Sequence, residues 1–89
     1  MIIKKRVTLN RVICMQTKYE QEYIKFGPKV SYYRKLRGMT QEAFAEKIDI
    51  SWSHLAKIES PTRAFGVSME TLFSIAEALD IPVSKLFED

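Results

Sequence analysis

The sequence predicts an all-α domain, folded as a compact bundle of five short helices. Two observations carry this prediction. Apolar residues recur at helical spacing along most of the chain, and no strand-like alternation follows residue 16. In addition, one helix-start signal, the hydrophobic staple, occurs four times within 50 residues, between Met39 and Leu86. A chain of 89 residues with 46% hydrophobic residues can build one small core of this kind.

The first predicted helix runs from about Pro28 to Arg37, after a short helix or turn that ends before Gly27. Proline suits the first turn of a helix and breaks an interior one, so the Gly-Pro pair is interpreted as an interruption. Gly38 is expected to end the helix as a left-handed C-terminal cap. The residues expected to face the core are Val30, Tyr33 and Leu36.

The four staples place an apolar residue before a capping residue and another four residues after the cap. They predict the starts of three helices and of a terminal helical turn, at Met39-Thr40-Phe44, Ile50-Ser51-Leu55, Val67-Ser68-Leu72 and Ile81-Pro82-Leu86, the last with proline as the cap. The helix from Ser68 to Leu79 is the most amphipathic, and its expected inward residues are Met69, Leu72, Phe73, Ala76 and Leu79.

Residues 40–59 hold two of these helices, joined by a three-residue break. Phe44, Ala45 and Ile48 share one face of the first, and Leu55 and Ile58 are the buried positions of the second. A helix, a tight turn and a second helix within about twenty residues are typical of a unit that reads DNA.

Charge is unevenly distributed. Residues 1–67 carry 13 basic and six acidic side chains, a net charge of +7, whereas residues 68–89 carry a net charge of −4. This asymmetry suits a chain that meets a polyanion with its first two thirds, although solubility alone also explains it. We divide the chain into an N-terminal extension, residues 1–26, and a helical domain, residues 27–89.

The extension begins with a basic segment that contains Lys4, Lys5, Arg6 and Arg11 and no acidic residue up to position 14. Three interpretations stay open: a basic arm that reaches DNA phosphates, an edge strand that pairs with another copy, or a disordered leader. We favour a loosely held basic arm.

Several function classes are not indicated. The sequence has no Gly-rich phosphate loop, no nucleophile paired with a base and no set of metal ligands, so we expect no enzyme, no cofactor and no metal. One cysteine and no long apolar stretch favour a reduced, cytoplasmic location without a membrane span.

The outward face of the second helix of the pair is the main candidate site. Burial of Leu55 and Ile58 turns four residues outward as base-contacting candidates, Trp52, Ser53, Ala56 and Lys57. Trp52 has an alternative role as a cover for the corner between the two helices. The candidates for phosphate contact are Thr40, Gln41, Ser51, Ser60 and Arg63. Arg34 and Glu59 are predicted to form a bidentate ion pair that fixes the orientation of this helix.

Residues 27–87 resemble the Cro/phage-repressor type of helix-turn-helix domain, the Xre family of bacterial and phage regulators. The resemblance rests on TQEAFAEKI, on LAKIE and on the leucine-rich helix after them. It implies a lambda-repressor-like fold, phosphate contact at Gln41, base contacts at Trp52, Ser53 and Lys57, and an Arg34–Glu59 pair. Three features depart from the pattern: Asp49 replaces the turn glycine, the loop at 60–67 is long, and tryptophan is unusual at position 52.

The predicted function is therefore sequence-specific binding of double-stranded DNA by a transcriptional regulator, in the first place a repressor. We expect a homodimer on an inverted repeat, because one reading helix buries too little surface for high specificity. The alternative is a protein-interaction module, such as an antitoxin, that uses the same exposed helix face.

Overall fold

The structure, a computed structural model, describes residues 17–88. This range is all-helical, as predicted, but it contains four α-helices and not the five helices predicted; the last element is a 3₁₀ helix. The predicted basic arm lies outside the described residues. The elements are α1 (Glu20–Leu36), α2 (Gln41–Lys47), α3 (Trp52–Ile58), α4 (Met69–Leu79) and the C-terminal 3₁₀ helix (Val83–Phe87).

The predicted break at Gly27-Pro28 is wrong, since α1 runs through both residues as one helix of 17 residues. Gly27 is buried where α1 crosses the end of α3. A Cβ atom built on it would lie 2.5 Å from the carbonyl oxygen of Ile58 and 2.9 Å from that of Ser60. Glycine is therefore required by a close backbone approach. The close packing of α1 on the end of α3, which Gly27 permits, compensates for the helix hydrogen bond that Pro28 cannot donate. The division of the chain at residue 26 stays a prediction, with α1 continuous across it.

Three helices are followed, within two residues of their last residue, by a residue in the left-handed region, with φ of 74° at Gly38, 62° at Asp49 and 58° at Asp80. After α1, the Gly38 N–H donates to the Lys35 carbonyl at 2.9 Å and the Met39 N–H to the Arg34 carbonyl at 3.2 Å. The same pair of bonds follows α2 and α4. The predicted cap at Gly38 is confirmed, and aspartate fills the turn between α2 and α3.

The predicted starts of α2, α3 and α4 are also confirmed, whereas α1 begins at Glu20 and not near Pro28. The hydroxyl groups of Thr40, Ser51 and Ser68 each accept the backbone N–H three residues later, at 3.0, 3.0 and 3.1 Å. The apolar residues that precede the three caps all pack against the core: Met39, Ile50 and Val67. Each cap satisfies one of the backbone donors that a helix start leaves without a partner.

The core is contributed by every element, and its fully or almost fully buried apolar residues are Phe26, Val30, Phe44, Ala45, Leu55, Ile58, Ala64, Ile75, Ala76, Leu79 and Leu86. Three residues that were expected to face the core do not. Leu36, Met69 and Phe73 point outward, with 61%, 65% and 53% of their surface exposed. In α4 the buried residues are Ala76 and Leu79, as predicted, together with Ile75, because the buried face of the helix is rotated relative to the predicted stripe.

Two contacts hold the outer elements in place. The Arg37 guanidinium donates to the carbonyl of Leu79 at 2.7 Å and to that of Asp80 at 3.3 Å, which ties the end of α1 to the end of α4. The Phe65 ring in the long loop meets the His54 ring edge-to-face, with 5.8 Å between centroids. No helix within residues 17–88 is both long and apolar enough to cross a membrane.

Candidate nucleic-acid interface

The reading face of α3 consists of Trp52, Ser53, Ala56 and Lys57, all of which are exposed. At about 100° per residue these side chains cover an arc of roughly 140° on one side of the helix. Leu55 and Ile58 are buried on the other side. Because α3 contains only seven residues, the reading face occupies its full length.

The buried ion pair between Arg34 and Glu59 fixes the far end of α3. The Arg34 Nε donates to Glu59 Oε2 at 2.8 Å and its Nη2 to Oε1 at 3.0 Å, so the pair is bidentate. Both residues are only 6% exposed. The third guanidinium nitrogen donates to the Met39 carbonyl at 2.7 Å. One arginine therefore links α1, the start of α2 and the end of α3, and its contribution is mainly to define their orientation.

A hydrogen-bonded chain continues from this pair to the reading face. Gln41, the first residue of α2, donates from Nε2 to Glu59 Oε1 at 2.9 Å. Its Oε1 accepts the indole N–H of Trp52 at 3.1 Å. Both ends of the Gln41 side chain are thus engaged within the protein. The sequence spacing gave no indication of this bond, because it depends on how α2 and α3 cross.

Three of the four remaining phosphate candidates have local partners as well. Thr40 and Ser51 are helix caps, and the Ser60 hydroxyl lies 3.3 Å from that of Thr62. A capping hydroxyl that accepts a backbone N–H keeps its own O–H as a donor for a phosphate oxygen. Arg63 is exposed in the loop after α3, and within residues 17–88 neither it nor Lys57 forms a salt bridge.

An open groove is lined by five of the candidates, Thr40, Gln41, Trp52, Ala56 and Ser60. Part of its lining comes from α1, of which sequence reasoning included only Arg34 in the site. Lys35 and Tyr32 lie on its α1 wall, opposite Trp52 and Ala56. Lys35 adds a positive charge beside the reading face. The signal that could have revealed it was its position one residue after Arg34. The groove is lined by Pro28, Ser31, Tyr32, Arg34, Lys35, Thr40, Gln41, Glu42, Trp52, Ala56, Glu59, Ser60 and Pro61.

Residues 30–86 match the family model described as Helix-turn-helix. The chain belongs to this family. The match includes α2, α3 and α4, and it begins within α1, so that the first ten residues of α1 precede it.

Individual relatives agree with this assignment. An uncharacterized HTH-type transcriptional regulator of Sinorhizobium medicae is 35% identical over 66 residues, which cover 74% of this chain and 46% of that protein. The chain thus spans about half the length of that relative. The crystal structure of the restriction-modification controller protein C.AhdI from Aeromonas hydrophila is similar with a TM-score of 0.66 and 31% identity, over 73% of this chain and 96% of that chain.

A second solved structure, that of the biofilm master regulator SinR in complex with DNA, has a TM-score of 0.64 and 28% identity. The match covers 71% of this chain and 98% of that chain. Both similarities therefore extend over nearly the whole of the compared chain.

Proposed function

We propose that this chain is a transcriptional regulator that binds double-stranded DNA sequence-specifically and inserts α3 into the major groove. The observation that carries the proposal is the reading face, an exposed arc on a helix whose other side is buried and whose end is fixed by a buried ion pair. A helix of this kind fits the major groove of B-DNA, where base edges carry a distinct pattern of donors and acceptors. Membership of the helix-turn-helix family supports the proposal.

Within this scheme the polar residues of the reading face specify the sequence. Lys57 donates to guanine acceptors, and Ser53 bonds to a neighbouring base edge. Arg63, Ser60, Thr40 and Ser51 surround the face and contact phosphates, which sets the register of the protein on the duplex without reading bases. For Gln41, whose side chain is held by Glu59 and Trp52, we propose phosphate contact through the backbone N–H at the start of α2.

We further propose that two copies act together on an inverted repeat, with their reading helices one DNA turn apart, roughly 34 Å. The support is physical: a seven-residue helix contacts only a few base pairs, which is too little to select one site among many. The SinR complex shows that a similar domain is compatible with a DNA duplex. Repression by occupying an operator, in the cytoplasm, is the simplest consequence.

The test is selection of bound duplexes from a random library at near-physiological salt, with the full chain. An enriched inverted repeat is expected, and its half-site spacing gives the dimer geometry. Lys57→Ala should change the enriched sequence, whereas Arg63→Ala should weaken binding to all sequences alike and reduce the salt slope by about one. Lys85→Ala is the matched control, because it removes a lysine of the C-terminal 3₁₀ helix, outside the reading face, whose Nζ lies 3.5 Å from Glu88 Oε1.

Absence of any enriched sequence would refute the proposal. In that case tight, salt-insensitive binding of a protein partner would favour the alternative, an interaction module that uses the same face. Equal loss on every sequence for both Lys57→Ala and Arg63→Ala would refute the division between base-reading and phosphate-contacting residues.

A further inference from the structure

Trp52 occupies a prominent place on the reading face. It is the first residue of α3, 56% of its surface is exposed, and Ala56 lies one turn further along the same side. An indole has one hydrogen-bond donor and no acceptor. In this chain that donor is already used, because the Trp52 N–H donates to Gln41 Oε1 at 3.1 Å.

The acceptor on Gln41 is itself held in place. Its amide nitrogen donates to Glu59 Oε1, and Glu59 is clamped in the buried pair with Arg34. Turning the Gln41 amide over would put an oxygen against the carboxylate and an NH₂ group against the indole N–H, so both bonds would be lost. The chemistry of the two neighbours thus selects one orientation of the amide, and that orientation keeps the indole donor occupied.

What Trp52 presents outward is therefore an apolar surface made of C–H groups. Ala56 extends this surface by one methyl group. In the major groove of a base-paired duplex the stacked bases expose only their edges, and the one apolar group among those edges is the C5-methyl of thymine. Cytosine offers the same position without the methyl group, and 5-methylcytosine offers it with one.

We propose that Trp52, with Ala56, is a specificity-determining residue that recognises the C5-methyl group of a pyrimidine in the bound DNA. This inference rests on the proposed function and deepens it, since it assigns an apolar contact to the residue at which the reading face departs most from a polar surface. Ser53 and Lys57 supply the hydrogen bonds on the flank of the same helix, so methyl recognition and donor–acceptor recognition address neighbouring base pairs.

The experiment starts from the operator obtained by selection and replaces each thymine of one half-site, one at a time, with deoxyuracil. This change removes only the methyl group. Burying one such group contributes enough to change affinity about fourfold. We expect one or two positions to lose about three- to fivefold in affinity at constant salt. When the thymine–adenine pair at such a position is replaced by a cytosine–guanine pair, the protein should bind the duplex with 5-methylcytosine more tightly than the duplex with cytosine.

Protein variants assign the effect to the indole. Trp52→Ala should abolish the difference between thymine and uracil at the sensitive positions, while Trp52→Phe, which keeps an apolar ring, should retain most of it. Lys57→Ala is the control on the same helix and should keep the difference although it lowers affinity. Because the Trp52 side chain is more than half exposed, helix content measured by circular dichroism should be unchanged in both tryptophan variants.

The outcomes separate this inference from the function on which it rests. An operator that is bound specifically but contains no uracil-sensitive thymine, or a thymine–uracil difference that survives Trp52→Ala, would overturn methyl recognition and leave sequence-specific binding intact. If selection enriches no sequence at all, both the proposed function and this inference fail.

Discussion

Replacement of Gly27 by alanine has two opposite effects on the stability of the fold. Alanine is the better helix former by about 1 kcal/mol in a helix interior, so helix propensity alone predicts a more stable protein. The structure predicts the reverse. The added Cβ would lie 2.5 Å from the Ile58 carbonyl oxygen, 2.9 Å from the Glu59 carbonyl carbon and 2.9 Å from the Ser60 carbonyl oxygen.

The size of the stability loss can be estimated from the atoms that have to move. All three neighbours are backbone atoms, so no side chain can rotate away, and an ordinary contact of 3.4 Å requires α1 and α3 to separate by about 0.9 Å. Overpacking of this kind costs typically 1–3 kcal/mol, and the backbone contacts place this site near the upper value, about 3 kcal/mol. After the gain in propensity, we expect a net loss of about 2 kcal/mol.

Thermal unfolding followed by circular dichroism measures the effect. For a domain of this size 1 kcal/mol corresponds to about 4–8 °C, so Gly27→Ala should lower Tm by about 8–16 °C. Gly38→Ala is the control, because its Cβ would meet nothing within 4 Å and its cost comes only from the left-handed backbone, about 1–2 kcal/mol. An unchanged or higher Tm for Gly27→Ala would refute the close crossing of α1 and α3.

Three further predictions concern stability and can be measured by urea denaturation. Arg34→Ala should cost about 3–5 kcal/mol, since it leaves Glu59 buried without its cation; a loss below 1 kcal/mol would contradict this. Asp49→Gly should add roughly 0.5–1 kcal/mol by relieving a positive φ, and destabilisation would speak against strain there. Ile75→Ala should cost about 2–5 kcal/mol and Phe73→Ala within about 0.5 kcal/mol; the reverse order would restore the predicted stripe.

The parts of the fold that the sequence predicted correctly depend on residues close together in the chain. A capping hydroxyl, such as that of Thr40, bonds to a backbone N–H three residues away, and each staple extends over only six residues. The cap at Gly38 is equally local. Such interactions depend only on residues that are close together in the sequence, and the pattern of residue types therefore reveals them.

The errors arose where tertiary packing overrides a local preference. Gly27 and Pro28 favour a break when they are considered alone, but the glycine is needed where α1 passes the end of α3. In α4 most positions are apolar, so the sequence does not define which side faces inward. The core selects Ile75, and the larger ring of Phe73 remains outside.

The candidate site shows the same distinction. Helical geometry alone places Lys57 and Ala56 on the outward side once Leu55 and Ile58 are buried, and the structure has them exposed there. The bond between Gln41 and Trp52 joins residues eleven positions apart on two helices. This bond depends on how α2 and α3 cross and on the position of the Glu59 carboxylate, and the spacing of residues in the sequence encodes neither.

The shortness of α2 and α3 has a consequence for regulation. Isolated helices below about 12–15 residues are marginal in water, and each of these has seven. The reading face therefore exists only while the whole domain is folded, so under the proposed function a partly unfolded chain would no longer bind DNA specifically. In the other direction, DNA at about one hundred times its dissociation constant would stabilise the fold by about 2.7 kcal/mol. Under the proposed function, molecules bound to DNA would then resist heat and proteolysis better than unbound molecules.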